Sequence, residues 1–140
     1  MSTPRRHGFT LIELLITVGI VGLLAIIALP SYRLYIDRAR IPVGLDALAS
    51  YASRMEQLYQ DNGNYGAAAC GAAVPAAANF TITCAIGNAG QTYVATATGS
   101  GTLSGYTYTI DSNGNRVTVA HPSGVPGQAC WSIKGTTCDT

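Results

Sequence analysis

The side chains best able to do covalent or metal chemistry in this 140-residue chain are four cysteines, Cys70, Cys84, Cys130 and Cys138. A zinc site would want Cys-x-x-Cys spacing and histidine partners. Neither is present, because His121 is the only histidine beyond residue 7. Four cysteines in a small domain suit two disulfides, and three connectivities are open. Cys70 with Cys84 and Cys130 with Cys138 are favoured because each pair closes a short local loop. A nucleophilic Ser or Cys would need a base nearby, and His121, next to Pro122, is the single candidate. No phosphate-binding loop, Gly-x-Ser-x-Gly elbow or His-Glu-x-x-His occurs. An enzyme is therefore not expected, nor a cofactor. Asp111, Asn113 and Asn115 alternate like the oxygens of a calcium loop. A tight turn between two strands explains them more cheaply, and no metal site is expected.

Glu13 is a different anomaly. It is the one formally charged side chain in the 22 residues from Phe9 to Pro30. As a helix that run is about 33 Å long, enough to cross a hydrocarbon core of about 30 Å. A carboxylate in such a run costs about 2.5 to 3.5 kcal/mol and is usually paired or functional. Phe9 lies four residues before it, so an amine freed at Phe9 would sit within an i to i+4 step of Glu13. Arg5 and Arg6 precede the run and favour a cytoplasmic N-terminus.

The basic leader from Met1 to Gly8, followed by Phe9-Thr10-Leu11-Ile12-Glu13 and a long apolar helix, resembles the N-terminal signal of the type IV pilin and pseudopilin family. The likeness runs through about Tyr65. It implies that a prepilin peptidase cuts between Gly8 and Phe9 and N-methylates Phe9. It also implies that Glu13 serves assembly by meeting the amine of a neighbouring subunit, and that Pro30 stands at the family's proline position. The implied fold is α+β, with a long N-terminal helix packed on a small antiparallel sheet of about four strands. The implied partners are other pilin subunits in a helical filament, the peptidase and an inner-membrane assembly platform. The precursor is expected to span the inner membrane once with its head in the periplasm, and later to join an extracellular pilus. The head then lies on the oxidising side, where disulfides persist.

Residues 1–8 are thus read as a removed leader, 9–30 as the membrane or filament-core helix, 31–62 as an amphipathic continuation and 63–140 as the β head. Pro30 and Pro42 predict bends or a melted turn without ending the helix. Between them Tyr32, Arg33, Tyr35, Asp37, Arg38 and Arg40 form an aromatic and charged collar suited to a membrane interface. Ile41, Leu45, Leu48, Ala52, Met55 and Tyr59 then recur at steps of four and three, the stripe of a helix that lays one face on a sheet. Asp61-Asn62-Gly63-Asn64 supplies the stop. After the Ala- and Gly-rich stretch 66–79, strands are expected over 80–84, 92–98, 106–111 and 116–120. Asn113-Gly114 makes a hairpin of the last two. Trp131, beside Cys130, is expected to pack on the sheet, and an exposed Trp there would mark a binding site.

Charge narrows the function further. Once Arg5 and Arg6 leave, six Lys or Arg face seven Asp or Glu. From Asp61 onward the only cations are Arg116 and Lys134, and they are, with Trp131, the candidate ligand contacts. Nucleic-acid capture needs a run of cations, so it is not favoured. The reading preferred is a structural subunit, a minor pilin serving twitching motility, adhesion or DNA uptake. Its helix end from Met55 to Tyr65 and its ending from Cys130-Trp131 to Cys138 resemble the minor pilins of the type IVa system. The alternatives are a DNA-binding minor pilin acting as uptake receptor and a type II secretion pseudopilin. A single-span membrane protein with no filament would need neither cleavage after Gly8 nor Glu13.

Overall fold

A computed structural model describes residues 9–139, and of Pro30 the backbone alone. The leader 1–8, including the expected cleavage residue Gly8, lies outside the described residues. Helix α1 covers Leu11–Asn62 without a break at Pro30 or Pro42, so no turn is melted at either, although each proline leaves one i→i−4 bond without a donor. The chain divides into two units between Ile36 and Asp37.

In the N-terminal unit the helix is lined by large apolar side chains on every side from Leu11 to Leu29. Phe9, Leu11, Ile12, Leu14 and the large apolar side chains as far as Leu29 are exposed, so no buried stripe can be drawn on it. A helix of that kind belongs in a surrounding apolar medium or among other helices. Among the described residues α1 is the one helix long and apolar enough to cross a membrane.

In the second unit the pattern becomes one-sided. Ile41, Leu45, Leu48, Ala52 and Met55 are buried, with Tyr51 beside them and Tyr59 partly buried. This stripe joins one core with the inward residues of a four-stranded antiparallel sheet: β1 (Phe80–Gly87), β2 (Thr92–Gly99), β3 (Thr107–Asp111) and β4 (Arg116–Ala120). The strands neighbour one another in chain order, β1-β2-β3-β4. Inward positions alternate as a pleat requires, with Ile82 on β1, Tyr93, Ala95 and Ala97 on β2, and Tyr108 and Ile110 on β3. Thr81, Thr83, Val94 and Thr98 point out to solvent.

Three strand boundaries differ from the expected ones, β2 by a single residue, ending at Gly99. β1 runs three residues past Cys84, because Ala85, Ile86 and Gly87 continue an unbroken register against Val94, Tyr93 and Thr92. β3 begins at Thr107, one residue late, where the register with β4 shifts between Thr107 and Tyr108.

Local caps set the ends of these elements. Gly63 takes φ +70 and donates its N–H to the Tyr59 carbonyl at 2.7 Å, which ends α1 in a left-handed cap. Disulfides join Cys70 to Cys84 and Cys130 to Cys138. The first ties the loop after α1 to β1. The second closes a loop that lies along β4, where the Thr118 N–H donates to the Cys130 carbonyl at 2.9 Å. At Gly44 the helix comes close to the start of β1: a Cβ there would fall 2.5 Å from the Phe80 ring.

Candidate functional sites

The first site is the start of α1. Thr10 is the residue before the helix, and Glu13 is its third residue. The Glu13 N–H donates to Thr10 Oγ1 at 3.3 Å, and Glu13 Oε2 accepts from the Thr10 N–H and hydroxyl at 3.5 Å each. This reciprocal pair is a capping box, which satisfies two of the donors a helix start leaves open and places a carboxylate at the positive end of the helix dipole. The spacing Thr-x-x-Glu ahead of an apolar run was its signal in the sequence. In the single chain, then, Glu13 serves its own helix.

The second site is on the head, where the three candidate contact residues have different surroundings. Trp131 is only 4% exposed, and its indole N–H donates to the Thr109 carbonyl at 2.8 Å. Its ring is covered by Arg116, whose guanidinium carbon stands 4.7 Å from the ring centre. The two therefore form one cation–π unit, with the cation outward and the aromatic ring in the core. Beside them a groove of about 300 Å³ is lined by Pro42, Leu45, Asp46 and Ile133. A second hollow of about 410 Å³ shares Arg116 and continues along Ser53, Glu56 and the Asp111–Gly114 turn. Lys134 is not part of this group: its ammonium meets Asp139 at 3.4 Å.

Asp139 organises the C-terminal loop. Its Oδ2 accepts from the Ile133 N–H at 2.6 Å, the Lys134 N–H at 3.0 Å and the Ser132 hydroxyl at 3.4 Å. Burial acts to raise its pKa, but these hydrogen bonds and the Lys134 charge outweigh it and hold the carboxyl below its ordinary value. Asp111 behaves alike in the β3–β4 turn. It accepts from the Asn113 and Asn115 N–H groups and from the Asn115 side-chain amide, each at 2.9 Å, and these outweigh burial to lower its pKa. Its oxygens are thus taken up by the turn. Among the described residues no three His, Cys, Asp or Glu side chains gather as a metal site would require.

Buried polar groups complete the head. His121 Nδ1 accepts from the Ser123 N–H at 3.0 Å, so the ring is the tautomer whose Nε2–H donates to the Ile133 carbonyl at 3.1 Å. Its edge meets Tyr106 at 4.8 Å between ring centres. Nδ1 is thus engaged by the turn at Ser123 and Nε2 by the C-terminal loop. Tyr65 donates to Glu56 at 2.8 Å, and burial, reinforced by that bond, pushes its phenol up to about 12.

A sequence profile described as "Type IV minor pilin ComP, DNA uptake sequence receptor" matches residues 30–109, and one described as a prokaryotic N-terminal methylation motif matches residues 3–29. The chain belongs to this family of type IV minor pilins. Fimbrial protein EcpC of Eikenella corrodens is 35% identical over 95 residues, a match covering 66% of this chain and 62% of EcpC. The major pilin PilE1 of Neisseria gonorrhoeae is 38% identical over 65 residues, covering 46% of this chain and 39% of PilE1. The matches therefore span less than two thirds of each relative's length. The crystal structure of the non-core minor pilin PilV of Neisseria meningitidis superposes with a TM-score of 0.54 at 16% identity, covering 66% of this chain and 96% of that one. That likeness is one of fold, a long helix on a four-stranded antiparallel sheet.

Proposed function

We propose that this minor pilin is a structural subunit of a type IV pilus. Its precursor is cut between Gly8 and Phe9 by a prepilin peptidase, Phe9 is N-methylated, and residues 9–30 hold the chain in the inner membrane with the head on the periplasmic side. An inner-membrane platform then transfers it to a surface filament. The carrying observation is the contrast between the two units. The head closes its own core, whereas the helix from Phe9 to Leu29 exposes apolar side chains all round and needs lipid or other helices to cover them. In the filament Glu13 exchanges its Thr10 cap for the amine of a neighbouring subunit.

The test is intact-mass spectrometry of filaments sheared from cells and of the remaining membranes. A chain beginning at methylated Phe9 with both bridges closed, present at low copy in the filaments, is the expected result. Its dominance there would make it the major subunit. Its absence from filaments, with processed chain in the membrane, would refute the reading and favour the pseudopilin alternative.

The family description favours a second reading, a receptor for DNA. Against it stand the cations of the β head: Arg116 lies over Trp131, and Lys134 is paired with Asp139. Duplex DNA is therefore expected to be unretarded by the purified chain at physiological salt. Retardation that weakens steeply with added salt would establish the receptor reading instead.

A further inference from the structure

The two edges of the sheet are treated differently. β4 is short, opens with the charged Arg116, carries a register shift at Val119, and is hydrogen-bonded by the C-terminal loop through Thr118 and Cys130. These are the usual means of blunting an edge. β1 has one loop bond, from the Phe80 N–H at its start to the Ala77 carbonyl at 3.3 Å, and none of the other devices. Its eight residues, Phe-Thr-Ile-Thr-Cys-Ala-Ile-Gly, carry no charge and no proline, and they pair with β2 without a bulge.

The direction of its free backbone groups can be worked out. Tyr93 accepts from the Ser112 N–H, and the Gly99 N–H donates to Tyr106, so the odd-numbered residues of β2 face β3. The even-numbered ones face β1, where their partners are Thr81, Thr83, Ala85 and Gly87. The N–H and C=O groups of Ile82, Cys84 and Ile86 therefore point away from the sheet. Among the described residues nothing outside the ladder bonds to them. The loop tied to Cys84 makes its bonds in the helix layer instead: Tyr51 donates to the Ala72 carbonyl, and the Gly71 N–H donates to that of Tyr65.

We propose that β1 pairs, antiparallel and edge to edge, with β1 of a second copy of this chain about a two-fold axis at Thr83. That register sets the outward groups of Ile82 against those of Cys84 in the copy, so these pairs can exchange hydrogen bonds, and it brings the Ile86 N–H to the Phe80 carbonyl, the Phe80 N–H being held by the Ala77 carbonyl at 3.3 Å. Thr83 then lies opposite Thr83 of the copy, a favourable cross-strand pair, and the uncharged strand meets no like charge. A two-fold contact closes on itself and cannot propagate along a polar filament. The axis is normal to the sheet, so the α1 stretches packed on the two sheets run in opposite directions; the contact therefore joins subunits of two filaments and to that extent rests on the assembly role proposed above.

The test is made with the full chain in sheared filaments in which the processed chain has been detected by mass. Thr83→Cys places two thiols across a non-hydrogen-bonded pair, where Cβ atoms approach closely enough for a disulfide. Thr98→Cys is equally exposed on the same face but lies on β2. The expected result is a reducible dimer from Thr83→Cys and none from Thr98→Cys, with both chains keeping their native bridges. Thr83→Glu, which opposes like charges, should lower chemically cross-linked dimer by about threefold, whereas Thr98→Glu should not. No dimer from Thr83→Cys, or equal dimer from both cysteine variants, would overturn the pairing and leave the edge free or bound to another protein.

Discussion

Replacing Asp139 by Ala removes the acceptor of two backbone N–H groups, one on half-buried Ile133 and one on exposed Lys134. A hydrogen bond to a charged group contributes about 1.5 to 3 kcal/mol, and an N–H left unpaired away from water carries most of the loss. Because Lys134 can turn to water, the cost concentrates at Ile133, and the total expected is about 2 to 3 kcal/mol. The ion pair adds little. The Lys134 side chain is 68% exposed, so its contribution is a few tenths of a kcal/mol at most. In a head of about this size 1 kcal/mol moves the melting temperature by about 4 to 8 °C, so Asp139→Ala should lower it by about 10 to 20 °C and Lys134→Ala by no more than about 3 °C. Thermal unfolding of the full chain in detergent would read both. The acid limb gives a second check. A carboxyl held below its ordinary 3.8 stabilises the fold above that pH, and the contribution is lost as pH falls through the lower folded value. The gap between the native chain and Asp139→Ala should therefore be full near neutrality and narrow below about pH 4. Equal losses for Lys134→Ala and Asp139→Ala, or a gap unchanged by acid, would show that the loop is not held by this carboxylate.

Gly44→Val should cost about 1 to 3 kcal/mol in the same unfolding assay, since its Cβ would enter the buried Phe80 ring. A neutral result would mean that the ring moves freely. Removing the Cys70–Cys84 bridge by paired Ser substitutions should cost about 3 kcal/mol for its 14-residue separation, and an unchanged denaturation midpoint would refute that. Glu13→Ala should leave the head's unfolding untouched and reduce filament incorporation, measured by copy number in sheared filaments. Normal incorporation would remove Glu13 from assembly.

Much of the fold was legible because its signals are local. The stripe from Ile41 to Met55 has helical spacing, the strands alternate, and Asn113-Gly114 sits where the last hairpin turns. What the sequence withheld depends on chain segments meeting in space. Nothing near Gly44 announces the Phe80 ring, 36 residues away. Asp139 reads as one more exposed acid until the C-terminal loop brings Ile133 and Lys134 to it. Strand periodicity says nothing of neighbour order, nor does it distinguish the covered β4 edge from the bare β1 edge. At the candidate sites the residue types were evident but their partners were not. Trp131 was expected to pack on the sheet, whereas its cover by Arg116 had no signal in the sequence. The Thr10–Glu13 cap is readable from the Thr-x-x-Glu spacing, whereas the charge of Glu13 in an apolar run points equally to an amine at Phe9 or on a neighbouring subunit.

The consecutive strand order also bears on how this head is made. Each strand pairs with the one delivered just before it, and the bridges close between cysteines only 14 and eight positions apart. No segment has to wait for a distant one or thread past a finished layer, so structure can grow in the order in which the polypeptide emerges, on the already helical stretch before it. Neighbour-only pairing keeps loop-closure entropy low and folding fast. It also shortens the time during which the bare, uncharged β1 strand is presented without the rest of its sheet, when misdirected association is most dangerous to a newborn chain.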